Sequence, residues 1–129
     1  MEKPITIEIQ ENNIVKISIN GDLLDQQAEA LSKSLEEAEQ IIISTFNNLQ
    51  KKLIVLVDLN NFSGRYVVAS LIKMVEFSNA TKQYIEKTAV YGSSDKERMA
   101  AEMVAALSER NDLKTFTTKE EALEWSTAS

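Results

Sequence analysis

Two short stretches near the start of the chain alternate apolar with polar residues. Ile5, Ile7 and Ile9 alternate with Thr6 and Glu8, and Val15, Ile17 and Ile19 alternate with Lys16 and Ser18. A period of two sends successive side chains to opposite faces, so both stretches read as half-buried strands. Glu11-Asn12-Asn13 between them tolerates left-handed backbone geometry, which predicts an antiparallel hairpin. Asn20-Gly21 ends the second strand, and the period then changes. Leu24, Ala28, Leu31, Leu35, Ala38, Ile42 and Phe46 recur at spacings of three and four, one apolar face of a helix that Asp25 is placed to cap. Ile41 and Ile43 flank Ile42 and the three cannot all point inward. One of the flanking pair is expected to meet a neighbouring strand or another chain.

Leu53 to Val57 is an unbroken apolar run, LIVLV, closed by Asp58. A strand without alternation is covered on both faces and is typically parallel and central. Ser63-Gly64 follows a short polar connection, and the pattern predicts a helix from Gly64 to Thr81 with Ser63 as its N-cap. Val68, Leu71, Ile72 and Val75 form its inward stripe; Tyr66, Met74 and Phe77 make a second apolar stripe beside it. Three uses fit that extra width: the floor of an apolar pocket, a dimer contact, or burial under later segments. Thr88 to Tyr91 reads as a short strand, and Gly92-Ser93-Ser94 leads into a helix with capping-box spacing between Ser94 and Glu97. Met99, Met103, Val104 and Leu107 carry that helix's apolar face, its alanines keep it slim, and Asn111 is placed to close it. Leu113 to Phe116 is a last strand, and Thr118 with Glu121 opens a final helix holding Ala122, Leu123 and Trp125.

The resulting order, ββαβαβαβα, predicts an α/β single layered domain over residues 1–129. Its mixed five-stranded sheet has an antiparallel N-terminal hairpin and is otherwise parallel, with helices packed on it. At 129 residues and 43% hydrophobic, the chain suffices for one core. The formal charge of -6, from 20 acidic and 14 basic residues, disfavours a phosphate backbone as partner, so no nucleic acid is expected. Glu29, Glu36, Glu37 and Glu39 on the first helix are read as solvated surface rather than a basic partner's site. The apolar runs are too short for stable membrane insertion and no signal-peptide core begins the chain, which places the protein in the cytoplasm.

Chemistry is restricted by what is missing. The sequence contains no Cys and no His, which removes thiolate catalysis, every Ser-His pairing and the commonest metal ligands. Neither a metal nor a cofactor is expected. Asp58, Asn60 and Asn61 after the central strand, Ser63-Gly64 at the next helix start and Gly92-Ser93-Ser94 should converge at the carboxyl end of the sheet. Two helix N-termini there would suit an anion or phosphate, although each serine is equally explained as an ordinary cap. A catalytic reading would use Asp58 as base or Ser63 as nucleophile, with no residue placed to activate the serine. The expectation is therefore no enzyme.

From Val15 to Trp125 the chain resembles the STAS domains (sulphate transporter and anti-sigma-factor antagonist), and within them the SpoIIAA-like proteins. The likeness is carried by Asn20-Gly21-Asp22-Leu23, by Val57-Asp58 with Phe62 and Gly64, by Lys87-Thr88-Ala89-Val90-Tyr91-Gly92, and by Glu121, Ala122 and Trp125 near the end. In phospho-regulated members a serine at the start of the helix after the third strand is phosphorylated by a partner kinase. Ser63 matches by position, although no Asp-Ser pair precedes Gly64 here. The SpoIIAA-like resemblance implies a regulatory, non-enzymatic binding domain for a protein partner or homodimer, or a carrier of an apolar or lipid-like small molecule. The binding residues it and the pattern single out are Asp58, Asn60, Asn61, Ser63, Gly64, Tyr66, Met74 and Phe77.

Overall fold

The run from Leu53 to Asp58 lies at the centre of a five-stranded sheet, as its lack of polar alternation requires. The computed structural model describes residues 3–128. In chain order the elements are β1 (Ile5–Ile9), β2 (Ile14–Ile19), β3 (Gly21–Leu23), α1 (Ala28–Leu49), β4 (Leu53–Asp58), β5 (Phe62–Tyr66), α2 (Val68–Thr81), β6 (Ile85–Tyr91), α3 (Asp95–Leu107), β7 (Leu113–Phe116) and α4 (Lys119–Thr127). Single 3-10 turns precede α1 and follow α2. The main sheet runs β1-β2-β4-β6-β7; β1 pairs antiparallel with β2, and every other pairing in it is parallel. Asn12 takes the left-handed conformation in the hairpin turn, at φ 59°, as expected for an Asn there.

Strand alternation divides the molecule into two layers around this sheet. Val15, Ile17 and Ile19 of β2, Leu53 and Val55 of β4 and Val90 of β6 face a layer built from α1, α2 and α3. Leu56, Ala89 and Tyr91 face the opposite side, where Ala122, Leu123 and Trp125 of α4 cover them together with Phe116. Lys87 holds that helix down, donating from Nζ to the Trp125 carbonyl at 3.0 Å and lying 4.9 Å from the centre of the indole ring.

Several expectations fail in detail, each for a local reason. The helix predicted from Gly64 begins at Val68, with Val67 as an N-cap that makes no side-chain bond, so Ser63 caps nothing. Phe62–Tyr66 is instead a strand, paired parallel with β3 in a second, two-stranded sheet. Its backbone groups are satisfied by that partner, and Phe62 and Gly64 alternate inward while Ser63 and Arg65 alternate outward. The inward side of α2 is also rotated from the expected one: Val68 is 69% exposed and Ile72 is exposed, whereas Met74 and Phe77 pack on the core.

In α3 the large side chains Met99, Met103 and Leu107 are exposed, and Ala100, Ala101 and Ala105 are the residues turned inward. Small residues let this helix axis come close to its neighbours, so the alanine side wins the interior. Ser94 is the N-cap of α3 but makes no capping bond; Arg98 binds the Gly92 carbonyl and the Asp95 carboxylate instead. Glu109 rather than Asn111 adopts the left-handed conformation after the helix, at φ 54°. The Thr118–Glu121 capping box forms as predicted.

Candidate functional site

Between the helical layer and the sheet lies an apolar cavity of about 100 Å³. The sheet supplies Ile17, Ile19, Val55, Val57, Ile85 and Val90. The helices supply Leu71, Met74 and Phe77 from α2 and Ala100, Ala101 and Val104 from α3. Tyr66 and Phe62 of β5 close one end. The cavity exists because α3 presents alanines where longer side chains would fill the space. Tyr66, Met74 and Phe77 thus come together on the inside, as half-buried walls of this cavity.

The residues expected to converge at the carboxyl end of the sheet separate into two environments. Asp58 shares its side of the sheet with Tyr91: its Oδ1 accepts from the Asn60 amide at 2.8 Å, ordering the turn, and its Oδ2 lies 3.7 Å from Lys16 Nζ. Asn60 and Asn61 are exposed in that turn, and the Asn61 carbonyl accepts from the Gly21 amide at 2.8 Å. Ser63 belongs to the two-stranded sheet. Its hydroxyl donates to Asp22 Oδ1 at 2.5 Å and accepts from the Arg65 amide at 3.1 Å, while Arg65 Nη1 lies 3.5 Å from Asp22. Gly64 beside it has φ +85°, where a side chain would be strained, and its α-carbon faces the Lys96 and Glu97 side chains. Two hydroxyl-bearing helix starts therefore do not meet. A phosphate on Ser63 would confront Asp22, with Arg65 beside it and the Lys96 side chain against the neighbouring Gly64.

Tyr91 has a strongly displaced titration. Burial first, and then the negative charge of Asp58, push its phenol up to about 12. The hydroxyl is buried and has no hydrogen-bond partner among the described residues, so charge rather than a well-formed hydrogen bond links it to Asp58. Because the folded-state value lies above the unfolded one, the associated stability is fully present below pH 10. It is lost as pH rises toward 12, by about 2–3 kcal/mol for a shift of this size. Urea unfolding across this range should show that loss in the native protein and not in Tyr91→Phe. At neutral pH the Phe variant should be as stable as the native protein or slightly more so, since it removes an unpartnered hydroxyl.

Sequence reasoning missed Arg110. Its side chain borders the cavity and is 4% exposed. Nε donates to Asp112 Oδ1 at 2.6 Å, Nη2 to Thr88 Oγ1 at 2.7 Å and Nη1 to Ser78 Oγ at 3.4 Å. The only trace in the sequence is the two-residue spacing of Arg110 and Asp112; the hydroxyls come from β6 and α2. No group of three or more acidic side chains among the described residues is arranged to hold a metal ion, and no helix among them is long and apolar enough to cross a membrane.

Comparison with known proteins agrees with this architecture. An anti-sigma factor antagonist from Mycobacterium paratuberculosis superposes with a TM-score of 0.57 at 16% identity, covering 96% of this chain and 93% of that one. The anti-sigma factor antagonist SpoIIAA in its unphosphorylated form gives 0.57 at 13% identity, over 94% and 96% of the two chains. The protein TM1081 gives 0.54 at 18% identity, over 100% and 91%. At these identities the likeness establishes the fold. No curated protein matches at the level of sequence. The model of one family, SpoIIAA-like, matches residues 14–126. That match runs from the first residue of β2 almost to the end of α4 and includes both the cavity and the Asp58–Gly64 connection, and the chain belongs to the SpoIIAA-like family of STAS domains.

Proposed function

We propose that this domain acts by binding rather than by catalysis, and that it carries or senses a small apolar molecule held between α2, α3 and the sheet. The observation that carries this reading is the cavity itself. Its walls are apolar side chains from the sheet and from α2, α3 and β5, the kind of lining usual in a small-molecule site. Among the described residues no nucleophile-base pair stands in it. Ser63, the serine nearest to such a role, spends its hydrogen bond on a carboxylate.

Native mass spectrometry of freshly purified protein should show a small noncovalent adduct. Ala101→Leu places a bulkier side chain in the cavity and should remove that adduct while leaving the fold intact. Adduct-free native protein that also takes up no added aliphatic or aromatic probe would overturn the reading.

A second reading, engagement of a protein partner, is favoured by outward apolar residues on two packed helices. Val68 and Ile72 on α2 and Met99, Met103 and Leu107 on α3 are exposed, and large side chains of this kind are common at interfaces. Two of the structural relatives are anti-sigma factor antagonists. In this reading the Asp58–Gly64 connection, through its exposed Asn60, Asn61 and Ser63, lies at the edge of the contact and Ser63 is its candidate phosphorylation site. The same mass measurement would report a second chain or a phosphate on Ser63.

A further inference from the structure

The surface open to the cavity is almost wholly apolar, although hydroxyls and a guanidinium stand at its border. Those groups are spent on other protein groups. Thr81 Oγ1 donates to the Phe77 carbonyl at 2.8 Å, Ser78 Oγ pairs with Ser108 Oγ at 3.0 Å, and Thr88 Oγ1 accepts from Arg110 Nη2 at 2.7 Å. Arg110 Nε donates to Asp112 at 2.6 Å. Among the described residues the buried side-chain polar atoms without a hydrogen-bond partner are Ser70 Oγ and the Tyr91 hydroxyl, and neither residue borders the cavity.

A buried water needs about two to four polar partners, so this lining gives water no hold. An apolar guest enters without displacing a bound water, whereas a hydroxyl or a charge would give up its hydration with nothing in return. Size is the second restriction. An engineered apolar cavity of about 150 Å³ in another protein holds one benzene, about 25 Å³ for each carbon. The same allowance in a cavity of about 100 Å³ admits about four carbons. The sheet side of the wall cannot retreat to make more room, because Val55 and Val90 lie on paired inner strands and are each 2% exposed.

We infer, resting on the small-molecule reading, that the occupant is a short uncharged hydrocarbon of about four carbons, held by shape and dispersion without a polar anchor.

Methyl-resolved NMR titration of the full chain with n-butane, 1-propanol and benzene tests this. Butane and 1-propanol have the same number of heavy atoms and differ in the hydroxyl; benzene is larger. Butane should move the Val55 and Val90 methyl signals saturably, 1-propanol should bind at least about tenfold more weakly, and benzene should leave the signals in place. Ala101→Leu should abolish the butane response. Val90→Ala, which removes methyl groups from the wall, should admit benzene. Binding of 1-propanol as tight as that of butane would overturn the absence of a polar anchor. Benzene binding the native protein at least as tightly as butane, or being refused by folded Val90→Ala, would overturn the size limit. In each of these cases a bound probe leaves the small-molecule reading standing. Failure of all three probes to bind the native protein would overturn that reading and this inference with it.

Discussion

Ile42→Ala is expected to lower the unfolding free energy by about 3–4 kcal/mol, against about 1 kcal/mol for Ile41→Ala or Ile43→Ala. Ile42 is fully buried, on the side of α1 that meets the sheet, in one cluster with Leu31, Leu35 and Val15. Its neighbours on that side come from a strand and from the same 22-residue helix, elements that cannot collapse into the space a lost side chain leaves. The deletion therefore costs both the transfer of the removed carbons and the cavity. Ile41 and Ile43 are half-buried, so truncation removes contacts without enclosing a void. Urea denaturation reads the difference directly, as a shift in midpoint at unchanged slope. Equal losses at all three positions would mean that α1 sits on the sheet in a different rotation.

That series touches the point where pattern alone stops being informative. The central strand, the hairpin and α1 were legible because each has one dominant period, and a single period identifies both the element and its buried side. The α2 segment is apolar on nearly every side, with Val68, Leu71, Ile72, Met74, Val75 and Phe77 within one helix, so its period names the helix but not the face. Packing chose Met74 and Phe77, and left Val68 and Ile72 outside. In α3 the rule that larger apolar side chains go inward fails because closeness of approach outweighs area per residue, and alanines meet the core.

The strand Phe62–Tyr66 was hidden for a different reason. Ser63-Gly64 has the composition of a helix start, and the partner that makes it a strand, Gly21–Leu23, lies some forty residues earlier. An alternation of Phe62, Gly64 and Tyr66 was present, but glycine contributes nothing to a hydrophobic pattern. The eight binding residues named from sequence accordingly fall into separate places. Tyr66, Met74 and Phe77 line the cavity, Ser63 and Gly64 lie in the small sheet, and Asp58, Asn60 and Asn61 order the turn after β4. Arg110 carried no signal because Thr88 and Ser78 reach it only through the folded topology.

Arg110→Met should lower stability by about 3–4 kcal/mol, a loss comparable to that of Ile42→Ala although no large apolar group is deleted. The methionine keeps much of the apolar stem, so the cost lies in what the guanidinium leaves behind. Asp112 loses the donor at 2.6 Å that compensates its partial burial, and the Thr88 hydroxyl, on a buried residue of β6, loses its donor at 2.7 Å. Ser78 retains the Ser108 hydroxyl as a partner at 3.0 Å, so its share is small. Asp112→Asn should cost only about 1 kcal/mol, because Asp112 reaches solvent and asparagine preserves an acceptor for Nε. The double variant should then be less damaged than the sum of the two, since the unpaired carboxylate is the larger part of the Arg110→Met penalty. Additive losses in that cycle would instead mean that Arg110 stabilises the fold through the β6 and α2 hydroxyls, with Asp112 as a bystander.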